Sequence, residues 1–168
     1  MMVNNEKITL IFCCILSACS LSPDTAIQNK MADAYSLHND DIEQRAEQIG
    51  SFLRDLKVEG YIHKKPEALR VDLVYDTYLV HKPLSFKGQK VVVLEEEYFT
   101  QWVGCCIAPG GSIYFEKTKD LKEIQDYAKQ AKCRVSKADE LLETLKRDGV
   151  KNHLPKAEYY ELRCKDMG

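Results

Sequence analysis

The period of the apolar residues changes repeatedly along this chain, and those changes constrain its architecture more than any other feature. Ile42, Ala46, Ile49, Leu53 and Leu56 recur at steps of four and three, which puts them on one face of an α-helix. Asn39 or Asp40 is the expected cap, Asp41 and Glu43 fill the first turn, and Gly60 stands just past the end. Ser22-Pro23-Asp24 marks an earlier helix start, after which Ile27, Met31, Ala34 and Tyr35 share one face. Residues 23–57 therefore read as a helical hairpin. The period then falls to two. Leu69, Val71, Leu73 and Tyr75 alternate with Arg70, Asp72 and Val74, and the run continues through Tyr78-Leu79-Val80 until Pro83 ends it. Lys87-Gly88-Gln89 is a turn signal. Residues 91–97 and 101–108 read as strands, Pro109-Gly110-Gly111-Ser112 as a tight turn, and residues 112–116 as the return strand.

Helical period returns at Leu121, Ile124, Tyr127, Ala128 and Ala131, for a helix over about 120–132. Ala138, Leu141, Leu142 and Leu145 form a shorter helix, with Ser136 as cap and Gly149 as stop. A last strand spans 157–164. The expected fold is α+β: an N-terminal helical hairpin, an antiparallel meander of about four strands, two further helices and a C-terminal strand.

The N-terminus carries a different signal. Asn4, Asn5 and Lys7 precede an apolar run from Ile8 to Ala18. Its length fits the ~7–15-residue core of a secretory signal and falls short of the ~20 residues a membrane span needs. The run ends in Leu16-Ser17-Ala18-Cys19. This tetrad resembles the lipobox of bacterial lipoproteins. The resemblance covers residues 1–20 and implies cleavage after Ala18 and a thioether from Cys19 to diacylglycerol. Residues 1–18 are then a removed signal peptide, with Cys13 and Cys14 discarded in it. Residues 19–22 form the anchored N-terminus and a short tether, and residues 23–168 a single α+β domain. Each buried methylene of the acyl chains contributes roughly 0.8 kcal/mol, so two or three chains hold firmly. Ser20 follows the lipidated position, and the absence of an aspartate there resembles an outer-membrane substrate. The domain is expected to face the periplasm.

The exported chain, residues 19–168, has the length of one ordinary domain. The full chain's net charge of −2 offers no excess of cations for nucleic acid. Four cysteines remain beside Cys19: Cys105, Cys106, Cys133 and Cys164. An export signal places them where disulfides form. Neighbours on a strand point to opposite faces, so Cys105 and Cys106 are expected to take Cys133 and Cys164 one each. The functional alternative, a thiol-redox pair at Cys105 and Cys106, lacks the Cys-x-x-Cys spacing of thioredoxin-like sites.

Other chemistry-bearing residues have plain structural readings. His38, His63, His81 and His153 form no His-x-x-x-His or Glu-x-x-His pair and read as surface or loop residues. Gly110-Gly111-Ser112 shares only composition with a nucleophile elbow. Glu95-Glu96-Glu97 offers paired carboxylates, yet reads as the charged face of an edge strand. Tyr98, Phe99 and Trp102 form a candidate partner or ligand surface, with Tyr114, Phe115, Tyr159 and Tyr160 expected in the core and at its margin. Lys117, Lys119 and Lys122 read as a solvated helix entrance. No catalytic constellation, metal site or cofactor motif emerges. The expectation is a non-catalytic binding or assembly module for an envelope protein partner, attached to the membrane through lipid on Cys19. The alternatives are a surface-exposed ligand-binding or exclusion lipoprotein and an envelope thiol-redox protein.

Overall fold

The structure, a computed structural model, describes residues 23–37, 41–70, 75–97 and 109–165. Within them lie helices α1 (Pro23–Tyr35), α2 (Ile42–Glu59), α3 (Lys122–Gln130) and α4 (Leu141–Arg147). The strands are β1 (Ala68–Arg70), β2 (Tyr75–Leu79), β3 (Ser85–Phe86), β4 (Gln89–Glu97), β5 (Gly110–Glu116), β6 (Arg134–Lys137) and β7 (Tyr159–Lys165). All pair antiparallel in one sheet of order β1-β2-β4-β5-β7-β6, with β3 also on β4. The fold is α+β, with the N-terminal helix pair and C-terminal strand that the periodicity predicts.

Both faces of the sheet are covered. Ile27, Met31 and Tyr35 of α1, Ile49, Leu53 and Leu56 of α2, and Ile124 and Ala128 of α3 pack on Tyr78, Leu94, Ile113, Phe115 and Leu162. On the other face Leu141 and Leu145 of α4 meet Leu79, Val92, Val93 and Tyr159. A β-bulge between Val91 and Val93 re-phases β4. It lets Val92 and Val93 share the α4 face while Val91 and Leu94 serve the larger core. Arg45, 2% exposed, fastens α2 to the end of α3 by donating to the Ala131 carbonyl at 3.1 Å. That carbonyl lies at the negative end of the helix.

Several expectations are corrected. Asp41, rather than Asn39 or Asp40, caps α2, its carboxylate accepting from the Gln44 N–H at 2.9 Å. Asn39 and Asp40 lie outside the described residues, as do Ser22 and the strand expected over 101–108. The run 69–80 is two strands of a hairpin, Arg70 opposite Tyr75. Alternation alone cannot reveal this, because both arms of a hairpin keep the same two faces. Gly110 and Gly111 stand within β5 rather than in a turn. A Cβ on Gly110 would lie 2.2 Å from the Cys164 carbonyl oxygen, and one on Gly111 2.6 Å from that of Glu95. These glycines admit neighbouring backbone. Ser136 is not a helix cap: it pairs with Glu161 in β6, and α4 starts after Glu140.

Candidate functional site

The cysteine pairing is the first site property that the structure settles differently. In the β6–β7 register Arg134 faces Arg163, which brings Cys133, just before β6, opposite Cys164. The two form a disulfide with Cα atoms 4.5 Å apart. They do not each take one of Cys105 and Cys106. Strand register, which the spacing of cysteines does not encode, selects the pair. Cys105 and Cys106 lie outside the described residues, as do Cys19, His38 and the aromatic trio Tyr98, Phe99 and Trp102.

One cleft has a volume of about 730 Å³ and mostly apolar walls. It opens where the chain leaves β2, turns at Pro83 into β3, and doubles back through Lys87 and Gly88, whose φ angles are 47° and 73°. Two positive φ values in a two-residue connection are those of a hairpin turn matched to strand twist. Gln89, fully buried, fixes the hairpin on the segment after β5. Its Nε2 donates to the Asp120 carbonyl at 2.8 Å and its Oε1 accepts from the Thr118 N–H at 3.0 Å. Leu79, Val80, Leu84, Val92 and Leu154 supply apolar walls. The rim carries Lys82, Lys90, Lys151, His81 and His153 against one acid, Asp24 of α1. The arrangement suits a ligand that is apolar in part and negatively charged in part.

A second, smaller pocket of about 340 Å³ lies beside α4 and ends on Glu95. Here the edge-strand reading of Glu95-Glu96-Glu97 is overturned: β4 is paired on both sides, and Glu95 is only 8% exposed. Glu95 accepts from Thr77 Oγ1 at 3.3 Å and Tyr114 Oη at 3.2 Å. Ser112 Oγ donates to Glu161 at 2.6 Å, and Lys165 lies 2.9 Å from Glu97 while only 5% exposed. Burial raises the Glu95 carboxyl above its ordinary value; Lys165 opposes this and Glu161 adds to it. The Tyr114 phenol is raised by burial and by Glu95. Glu95, Glu97 and Glu161 thus each have a donor, and the cluster ties β2, β4, β5 and β7 together as a satisfied buried network.

The remaining candidates fall into place around these two pockets. Lys117, Lys119 and Lys122 each meet an acid, Glu158 at 3.2 Å, Glu123 at 3.0 Å and Asp126 at 2.5 Å. Phe115 and Tyr159 are buried, and Tyr114 and Tyr160 are partly so. His153 stands on the cleft rim. His63 and His81 come together over Glu67, an arrangement that sequence reasoning missed. The His63-x-x-x-Glu67 spacing was visible, but His81 joins it only because β2 returns beside the segment after α2. No protein-family model matches this chain, no curated protein matches it in sequence, and no solved structure matches it.

Proposed function

We propose that this chain is a lipid-anchored, non-catalytic binding module of the bacterial outer membrane, facing the periplasm. In this reading it holds an extended acidic segment of an envelope protein in the cleft beside β3. The carrying observation is the cleft itself, with apolar walls and a rim that holds Lys82, Lys151 and Lys90, the last paired with Glu116 at 2.8 Å, against one aspartate. Such a rim attracts an acidic partner and speeds its encounter, while the apolar walls bury the partner's side chains. Position supports the same reading. Asp24 and Ile27 of α1 line the cleft, and only Ser20, Leu21 and Ser22 separate Pro23 from Cys19. Four extended residue steps reach at most ~14 Å, so lipid on Cys19 keeps the cleft's occupant close to the bilayer.

Charge reversal tests the cleft. K82E/K151E should weaken partner co-purification roughly tenfold or more, and K146E, on α4 away from the cleft, should leave it unchanged. Equal recovery from all three proteins would remove the cleft from the account. Protease treatment of intact cells separates a periplasmic domain, which survives, from a surface-displayed one, which is lost.

The Cys133–Cys164 bond favours one second reading. It leaves Cys105 and Cys106 with no other cysteine of the exported chain but each other. A vicinal pair that cycles between thiols and a disulfide would make the chain an envelope thiol-redox protein. Differential alkylation of cells decides this: a pair that shifts with the ambient redox poise supports it, and a pair locked in one state opposes it.

A further inference from the structure

We infer that His63, Glu67 and His81 form a binding site for a divalent transition-metal ion, zinc by its donor set. His63 Nδ1 lies 2.8 Å from Glu67 Oε1, and His81 Nε2 lies 3.2 Å from the same oxygen. One ligand atom from each residue lies within 4.8 Å of the others. Tetrahedral ligands about 2.0–2.2 Å from a zinc ion stand ~3.4 Å apart, so a rotation of His63, whose side chain is 66% exposed, adjusts the 2.8 Å contact to that spacing and completes the set. Two imidazoles and one carboxylate suit zinc and its first-row neighbours. Calcium and magnesium prefer all-oxygen shells.

The site is held from behind. Glu67 Oε2 accepts from the Leu79 N–H at 2.9 Å, and the Glu67 N–H donates to the Thr77 carbonyl at 2.9 Å. The His81 N–H donates to the Tyr61 carbonyl at 2.8 Å. The Glu67 carboxylate is thus oriented through its second oxygen, as ligating carboxylates are elsewhere, and a backbone bond fixes where His81 stands. The His63 and His81 rings stack with centroids 3.9 Å apart. Without a metal, each ring must present an N–H to the same carboxylate oxygen, Glu67 Oε1. A cation satisfies both ring lone pairs and the carboxylate together. Three protein ligands leave a coordination position toward solvent. His81 also lines the cleft of about 730 Å³, so an ion on these residues would sit beside its rim, whatever the cleft holds.

The test uses the untagged, detergent-solubilised full chain, its free thiols alkylated so that thiolates do not compete. Zinc is titrated against a chromogenic chelator, and cobalt(II) is followed by its visible bands. The expected result is one ion per chain, bound on the order of 10–100-fold more weakly in His63→Ala and in His81→Ala. Zinc should raise the melting temperature of the wild-type chain and not that of the variants. His63 is exposed, so its variant folds and keeps the test decisive even where Glu67→Gln disturbs the Leu79 contact. Absence of saturable binding, or binding that both histidine variants retain, would overturn the site.

Discussion

A double-mutant cycle on Cys133 and Cys164 reads the disulfide pairing as an energy. The bridge spans a sequence separation of 31 residues. The chain-entropy relation assigns a loop of that length about 3.7 kcal/mol at 25 °C. If the two cysteines bond to each other, C133A alone, C164A alone and the double variant all break the same bridge. Each should lose about 3.7 kcal/mol, and the coupling in the cycle should have nearly that magnitude. If instead each cysteine bridged to Cys105 or Cys106, the single losses would add and the double variant would lose roughly twice as much. Urea denaturation under non-reducing conditions supplies the values. The slope m should rise in all three variants, because an uncrosslinked denatured chain exposes more surface. Additive losses would refute the strand-register argument, as would single losses under about 1 kcal/mol.

Three further outcomes follow from the core. Burial raises the Glu95 carboxyl, so the folded chain keeps a proton that the unfolded chain releases near its ordinary value of 4.5. Stability should therefore fall as pH rises from about that value through the higher folded one, then level off; Glu95→Gln should flatten that decline in pH-resolved denaturation. Gly111→Ala sets a Cβ 2.6 Å from the Glu95 carbonyl oxygen and should cost about 1–3 kcal/mol in the same assay. Asp41→Ala removes the α2 cap bond to Gln44 and should cost ~1 kcal/mol, while Asp41→Asn should recover most of it.

The faces of the elements were far more legible in the sequence than their neighbours. Spacing places Ile27, Met31, Ala34 and Tyr35 on one helical face, and all four are buried. Periodicity is a local property and survives folding. Partnerships are not local. Glu95 to Glu97 look like solvent-facing charge until β2 and β5 flank them, and the buried cation Lys165 arrives from the far end of the chain. Arg45 falls beside the apolar stripe of α2 and is buried because α3 offers it a carbonyl. β6 has one strongly apolar residue, Val135, and so no alternation to read; β7 pairs it into the sheet. The metal-ligand set needs the loop after α2 and the end of β2 side by side. The cleft was illegible for the same reason, since its walls come from segments far apart in sequence.

Site-specific photo-cross-linking in living cells tests the proposed function most directly. A photoreactive residue replaces Lys151 on the cleft rim, with Glu143 on α4 as the control position and Cys19→Ala as the control for anchoring. One dominant adduct from position 151, mapping to an acidic segment of an envelope protein and lost at position 143 and without Cys19, is the predicted result. Adducts equal at both positions, or none at 151 from a protein that is abundant and acylated, would contradict it.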